Sequence, residues 1–172
     1  MESLFKLASF SRARIKNLKT ICITGSSGKT TLKEWIYNTL KEFRCSYSSI
    51  GNLNNEIGMP LTLANMPKNT EICILELGMN SSGEIKRLAK IARPNISIIT
   101  NIGSAHSGNF KELKAIAKEK SDIFSFLDNK SMAIFPKEIK YHDLIHRKAI
   151  KKTKKIYTFG SSENCKIRFE KS

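Results

Sequence analysis

Short apolar runs alternate with segments of helical periodicity along this chain. The runs at 71–77 and 95–100 are nearly continuous, which is typical of strands buried on both faces of a parallel sheet. Further strands are predicted at 20–24, 45–49, 131–135 and 155–159. Apolar side chains at helical spacing predict helices at 1–18, 29–43, 61–64, 110–127 and 141–149. Another helix is predicted to begin at a capping box at 81–84 and to end at Arg93-Pro94. The alternation predicts an α/β fold with a mostly parallel sheet and helices on both faces.

The first apolar run ends in small residues, a lysine and two threonines, reading I-C-I-T-G-S-S-G-K-T-T at 21–31. A phosphate needs several main-chain N–H groups converging on it, and small residues let the main chain come that close. We interpret residues 24–31 as a phosphate loop, in which Lys29 reaches the terminal phosphates and Thr30 offers its hydroxyl to magnesium. Ile23 stands where the eight-residue pattern has its first glycine, so a turn entering a helix is the alternative. The expected cofactor-binding residues here are Gly25, Ser26, Ser27, Gly28, Lys29, Thr30 and Thr31.

The segment G-N-L-N-N-E-I-G-M-P at 51–60, which we call the asparagine loop, is too rich in amides and glycines to be a regular element. Asparagines in loops usually cap turns, and that interpretation stays open. Three of them lie within four positions and close to the phosphate loop in sequence. We therefore expect Asn52, Asn54 and Asn55 to face a bound cofactor.

Two side chains with acid–base or metal chemistry follow or close predicted strands. Glu76 lies near the end of the strand at 71–77, where a carboxylate is costly to bury unless it is paired or binds a cation. His106 follows the strand at 95–100. Ligands of open α/β sheets lie beyond the carboxyl ends of the strands, where Lys29 is also expected. We therefore expect Glu76 to be linked to magnesium and His106 to lie at the same site, although each could be an ordinary solvated or structural residue.

Helical spacing also places one lysine of the predicted helix at 110–127 on its apolar face. Lys120 falls in line with Ile116, Ile123 and Phe124. A lysine there either extends its ammonium group to water or faces the site. His142 and His146 are one helical turn apart, but no acidic third ligand is apparent, so we expect them on a solvated face.

Composition narrows the partners and the compartment. The 172 residues carry a formal net charge of +15, which favours anionic partners such as nucleotides or nucleotide-linked sugars. Basic residues are spread along the chain and no RNA motif or zinc-finger spacing is present, so we expect no nucleic acid partner. No apolar run is long enough to predict membrane insertion. The four cysteines form no C-x-x-C pair, and we expect a reducing cytoplasm.

Five blocks in order make the chain resemble the Mur ligase family of peptidoglycan synthesis, most closely the central ATP-binding domain of its D-alanyl-D-alanine-adding members. The blocks are I-T-G-S-S-G-K-T-T-L-K-E (23–34), the asparagine loop, E-L-G-M-N-S-S-G-E-I (76–85), I-T-N-I-G-S-A-H (99–106) and A-K-E-K-S-D-I-F (117–124). They span nearly the whole chain, while the last forty or so residues match only loosely.

The resemblance implies an ATP-dependent ligation. The terminal phosphoryl group passes to a peptide carboxylate of a UDP-linked muramoyl tripeptide, and the amine of D-alanyl-D-alanine attacks the acyl phosphate. Lys29 is then expected to hold the β- and γ-phosphates, Thr30 and Glu76 to serve one magnesium ion, and His106 to serve a second. Lys120 matches a lysine that is carbamylated in several relatives, where the added carboxylate helps to hold the second magnesium. The catalytic residues implied are Lys29, His106 and Lys120.

The resemblance also implies domains that this sequence does not show: one that grips the UDP-sugar, an adenine-contacting segment, and one that binds the amino compound. We expect residues 1–18 to be a leading helix that once linked to an N-terminal domain, and 19–172 to be the central ATP-binding domain, incomplete at its C-terminal end. Such a chain is expected to be a monomer that binds nucleotide weakly and does not ligate alone. The alternatives are another muramoyl-peptide or folylpolyglutamate-type ligase, or a basic nucleotide- or nucleic-acid-binding module without ligase activity.

Overall fold

The computed structural model describes residues 1–103, 110 and 112–169. Its strands are β1 (Lys19–Thr24), β2 (Ser46–Ser48), β3 (Ile72–Glu76), β4 (Ile96–Ile99), β5 (Met132–Pro136), β6 (Lys155–Gly160) and β7 (Ile167–Arg168). Its α-helices are α1 (Glu2–Ala13), α2 (Lys29–Leu40), α3 (Gly58–Ala64), α4 (Glu84–Ala92), α5 (Leu113–Lys120) and α6 (His142–Ile150). Within the described ranges the strands form one sheet in the order β2-β3-β1-β4-β5-β6-β7, and every pairing is parallel.

Helices cover both faces of the sheet, as the sequence predicts. Alternate side chains of β1 show the division: Cys22 packs into the larger core with α1, α3, α4, α5 and α6, whereas Ile21 and Ile23 pack into a smaller core with α2. Because successive side chains of a strand point to opposite faces, a strand covered on both faces has to be apolar throughout. The continuous apolar runs in the sequence follow from this.

The strand order brings three strand ends together. β1 lies between β3 and β4, with Ile23 opposite Glu76 on one side and Thr24 opposite Ile99 on the other. The chain leaves all three strands at the same edge of the sheet, because parallel strands present their carboxyl ends together. The phosphate loop, the residues after Glu76 and the segment after β4 therefore meet.

The predicted helix at 110–127 is shorter and changes type. Its α-helical part is α5, after which residues Ser121–Phe126 form a 3₁₀ helix. The Ser121 hydroxyl donates to the main-chain oxygen of Lys118, 2.8 Å away, and such local bonds compete with regular helical pairing. The tighter turn still buries Ile123 and Phe124 in the larger core.

Smaller differences from the sequence predictions occur elsewhere. The helix predicted at 61–64 starts earlier, at Gly58, and β7 has two exposed residues and no apolar pattern that could have revealed it. His142 and His146, predicted on a solvated face, are half-buried: their rings lie 5.8 Å apart in a stack and both contact Phe135. Within the described ranges, none of the helices has the length and hydropathy that a bilayer crossing requires.

The leading helix packs on its own chain. Ala8 is fully buried in the larger core, and Arg12 donates to the main-chain oxygens of Ala92 and Arg93 at 2.6 and 3.0 Å. These oxygens belong to the C-terminal end of α4, where a cation is favourable to the helix dipole. The helix is thus part of this fold.

Candidate functional site

The phosphate loop leaves β1 under tight steric constraint. A Cβ atom at Gly25 would lie 1.8 Å from Oγ1 of Thr100, so the close approach of these two segments requires glycine. Gly28 adopts φ +76°, in the left-handed region that favours glycine, and is the N-cap of α2. Intrahelical bonding starts with the Leu32 N–H donating to the Gly28 oxygen, which leaves the N–H groups of the first turn directed out of the helix. This end of α2 can bind an anion.

Asn101, directly after β4, braces the loop. Its Oδ1 accepts hydrogen bonds from the main-chain N–H groups of Ser26 and Ser27 at 2.9 and 3.0 Å, and its Nδ2 donates to Ser27 Oγ. The N–H groups of Ser26 and Ser27, predicted to face a phosphate, thus donate to a side chain in this structure. Their role in phosphate binding stays a prediction, whereas the first turn of α2 is available without rearrangement. Asn101 lies in the block that follows β4, and its amide was the signal that could have indicated this role.

Glu76 lies at the carboxyl end of β3 with only 2 % of its surface exposed. Its Oε2 accepts a hydrogen bond from the Thr30 hydroxyl at 2.7 Å, and its Oε1 accepts one from Asn54 Nδ2 at 2.8 Å. The structure therefore brings together the two residues that were predicted to serve one magnesium ion. Asn54 of the asparagine loop reaches the same carboxylate, so this amide does more than cap a turn.

The other two asparagines of the loop behave differently. Asn55 Oδ1 accepts from the N–H groups of Ile57 and Gly58 at 3.0 and 2.8 Å, which caps the start of α3. This is the capping role that the sequence left open, although Asn55 also borders the cavity described next. The side chain of Asn52 is exposed, and its main-chain oxygen accepts from the Asn54 N–H at 2.7 Å.

Two lysines face one small cavity of about 90 Å³ beside the phosphate loop. Lys29, Asn54, Asn55, Gly78, Met79, Asn80 and Lys120 line it. Lys120 is 1 % exposed and its Nζ donates to the main-chain oxygen of Gly25 at 2.9 Å, so of the two orientations that the sequence left open the ammonium group takes the inward one. A cavity lined by two lysines and several amides fits a compact anionic group.

Burial weakens the basicity of both lysines. Desolvation is the main cause that lowers the pKa of Lys120 to about 7, and the nearby charge of Lys29 lowers it further, against opposing contributions from Glu119 and Glu76. Desolvation also lowers the pKa of Lys29, and Glu76 opposes that shift. Near neutral pH a substantial fraction of Lys120 is therefore the neutral amine.

A carboxylate from α5 holds the N-terminal end of α4. Glu119 accepts hydrogen bonds from the N–H groups of Gly83 and Ile85 at 2.8 and 3.1 Å. The predicted capping box is wrong in its cap residue: Gly83, in the left-handed region at φ +87°, is the N-cap, and Glu84 reaches back to the Asn80 N–H at 2.7 Å. A left-handed glycine places the start of the helix after the serines, so their hydroxyls do not cap it.

His106 lies outside the described residues, so its predicted place at the site is untested. Among the residues that the structure describes, no group of three or more histidine, cysteine, aspartate or glutamate side chains could hold a metal ion. Thr30 and Glu76 supply two oxygen donors side by side, which suits magnesium, an ion that usually keeps waters and phosphate oxygens as its other ligands.

The all-parallel sheet, the glycine-bearing loop after its central strand and the buried carboxylate on the neighbouring strand define an α/β domain of the phosphate-loop class. Residues 23–171 match the Mur ligase middle domain. The chain therefore belongs to the Mur ligase middle-domain family.

Individual relatives agree with this assignment. The chain is 40 % identical over 165 residues to the UDP-N-acetylmuramoyl-tripeptide–D-alanyl-D-alanine ligase of Buchnera aphidicola, a match that covers 96 % of this chain and 35 % of the relative. A crystal structure of MurF from Acinetobacter baumannii superposes with a TM-score of 0.89 at 35 % identity, covering 94 % of this chain and 35 % of that one. The crystal structure of MurF ligase from Thermotoga maritima in complex with ADP superposes with a TM-score of 0.80 at 32 % identity. This match covers 93 % of this chain and 37 % of that one. The chain thus spans about a third of the length of these relatives.

Proposed function

We propose that this chain is the ATP-binding part of a ligase that activates the peptide carboxylate of a UDP-linked muramoyl tripeptide as an acyl phosphate, for attack by D-alanyl-D-alanine. Membership of the Mur ligase family supports ATP as the cofactor, and the names of the relatives support the two substrates. The free thiols of all four cysteines are consistent with a cytoplasmic protein. We also propose that the chain is a monomer.

One observation carries the proposal: the Glu76 carboxylate is held between Thr30, in the first turn of α2, and Asn54 of the asparagine loop. A nucleotide whose phosphates rest on the first turn of α2 would bring its terminal phosphate to this carboxylate and to the cavity that Lys29 and Lys120 line. Phosphoryl transfer needs positioning and charge neutralisation more than it needs protein nucleophiles. The residues gathered here provide both.

The donor set fits magnesium. Thr30 and Glu76 would hold it through a hydroxyl and a carboxylate oxygen, the ligand types that this ion prefers. When bound, the ion would neutralise charge on the phosphates. Asn54 keeps the other carboxylate oxygen occupied, which fixes the orientation of Glu76.

The two lysines have separate roles in this proposal. Lys29 holds the β- and γ-phosphates as a cation, close to the carboxylate that opposes the loss of its charge. Lys120 has a lowered pKa and therefore a neutral amine that can add to carbon dioxide, with loss of a proton, to give a carbamate. That carbamate and His106 would serve a second magnesium ion, as the family resemblance implies.

Calorimetric titration with ADP, with and without magnesium, tests the proposal on the chain itself. We expect binding that magnesium strengthens, and a loss of about 10- to 100-fold in affinity in Lys29→Ala, because a charge-assisted contact to phosphate is removed. Lys114→Ala, which changes an exposed lysine of α5, is the control and should bind as the wild type does.

The alternative function gives the opposite pattern. A basic nucleic-acid-binding module would bind random DNA with an affinity that falls steeply with salt. That affinity would survive Lys29→Ala, because binding to the backbone phosphates of DNA does not need the phosphate loop. If the wild type binds DNA in this way and shows no binding of ADP with magnesium, the ligase proposal is wrong.

A further inference from the structure

Lys33 is a lysine of α2 with no exposed surface. Its Nζ donates to the main-chain oxygens of Ser49 and Gly51 at 2.6 and 3.2 Å, and it lies 2.9 Å from Oε1 of Glu34. Three acceptors match the three N–H bonds of an ammonium group. Burying an ammonium group is costly unless it is paired and hydrogen-bonded, so this position is built for a cation.

The Gly51 oxygen belongs to the first residue of the asparagine loop, and the Ser49 oxygen lies two residues before it. Three residues after Gly51, Asn54 donates from Nδ2 to Glu76 Oε1. The main chain between them is tight, because the Asn54 N–H donates to the Asn52 oxygen at 2.7 Å, and the Asn54 oxygen accepts from the Gly78 N–H at 2.7 Å. A displacement of the loop at Gly51 would therefore move Asn54 away from the carboxylate.

Contacts from α2 reach the same carboxylate from the other side. Thr30 lies one turn before Lys33 in α2 and donates to Glu76 Oε2. One helix thus holds both carboxylate oxygens, one directly through Thr30 and the other through Lys33, the loop and Asn54. Residues three apart on a helix share a face, which explains how both side chains reach this region.

We propose that Lys33 is a positioning residue: it anchors the asparagine loop so that Asn54 holds the Glu76 carboxylate beside Thr30, and it thereby sets how strongly magnesium promotes nucleotide binding. This inference rests on the proposed function, because that function assigns Thr30 and Glu76 to magnesium. In this proposal Lys33 acts on the Glu76 carboxylate through the asparagine loop. A merely structural lysine would affect the stability of the fold without a selective effect on the loop or on magnesium.

The first test is amide hydrogen exchange, which needs no ligand. Lys33→Met keeps an unbranched side chain but removes the charge and its donors. We expect the Gly78 N–H, which donates to Asn54, to exchange about tenfold faster or more in this variant. The neighbouring Leu77 N–H donates to Ile23 in the sheet and should be unchanged, so it is an internal reference.

The second test is the ratio of ADP affinities with and without magnesium. In Lys33→Met the ratio of the two affinities should fall about tenfold. The affinity for ADP without magnesium should be unchanged, since the first turn of α2 is intact. Lys41→Met, at an exposed lysine that follows α2, is the matched control and should keep the wild-type ratio. Lys33→Arg keeps the cation and its donors and should restore most of the ratio.

The outcomes separate the two ideas. A wild type that does not bind ADP contradicts the proposed function, whereas the exchange of Gly78 still reports on Lys33. A wild type that binds with magnesium, combined with an unchanged ratio and unchanged Gly78 exchange in Lys33→Met, overturns the inference. If Lys33→Met does not fold, Lys33→Gln replaces it, because glutamine keeps a donor but loses the charge and the reach to both oxygens.

Discussion

Lys120 donates a hydrogen bond from Nζ to the main-chain oxygen of Gly25, which joins the end of α5 to the phosphate loop. The two residues are 95 positions apart in sequence. Their contact places a lysine of lowered pKa beside Lys29 in one cavity. The phosphate loop and α5 are therefore joined, and a substitution at either residue should alter the environment of the other.

We expect Lys120 to make stability depend on pH. Its pKa is about 7 in the folded chain and near 10.5 when exposed, so between these values the unfolded chain binds a proton that the folded chain does not. Stability should therefore rise with pH through this window, relative to Lys120→Met, by on the order of a few kcal/mol. Urea unfolding of both proteins at pH 6.5, 8 and 9.5 measures the difference. A difference that stays constant with pH would show that the amine is charged in the folded state.

Gly25→Ala should be strongly destabilising, because the new Cβ would lie 1.8 Å from Thr100 Oγ1. Part of the clash is with the hydroxyl, and part with the Asn101 main-chain nitrogen at 3.2 Å. We expect a loss of roughly 2–4 kcal/mol, in the range of overpacked cores and strained backbone. In a Thr100→Ala background, Gly25→Ala should lose less stability, and a double-mutant cycle from urea unfolding measures the difference. Full additivity of the two changes would show that these residues do not meet.

The sequence predicts much of the fold, because strand burial and helix spacing are local patterns. The apolar runs that became β1, β3 and β4 stand out without any knowledge of their neighbours. The rule that parallel strands end at one edge then brings Lys29 and Glu76 together, and in the structure the Glu76 carboxylate is near enough to oppose the loss of charge from Lys29. Helical spacing places Lys120 on the apolar face of its helix, but the direction of its amine depends on the Gly25 oxygen, which is remote in sequence.

The roles of Lys33 and Glu119 could not be predicted, because each depends on a partner that is remote in sequence. Lys33 looks like any helical lysine until the fold brings the oxygens of Ser49 and Gly51 to its ammonium group. Glu119 lies in a lysine-rich helix and reads as a surface charge, yet it is 4 % exposed and caps another helix. Buried polar contacts of this kind follow from tertiary structure and leave no periodic signal.

Thr30→Val tests the role of the hydroxyl in magnesium binding. Valine has nearly the same shape but no donor or oxygen ligand, so the metal-free affinity for ADP should be retained while most of the magnesium enhancement is lost. Thr30→Ser keeps the oxygen and should retain the enhancement. Calorimetry with ADP at fixed magnesium concentrations measures both. An unchanged enhancement in Thr30→Val would contradict the assignment of Thr30 to the metal.

Glu119→Ala should destabilise the fold by about 2–3 kcal/mol, because a buried and a half-buried N–H group at the start of α4 lose a charged acceptor. Glu119→Gln keeps one carbonyl oxygen but presents an NH₂ group to the other N–H, so its loss should be smaller though still measurable. The same variants remove a negative charge that raises the pKa of Lys120, so that pKa should fall further. Urea unfolding at pH 7 measures the stability, and labelling of Lys120 with an amine reagent as a function of pH measures its pKa. Glu112→Ala, which removes an exposed glutamate just before α5, is the control. A loss in Glu119→Ala no greater than in Glu112→Ala would mean that the cap contributes little and that α5 is held in place by its apolar contacts.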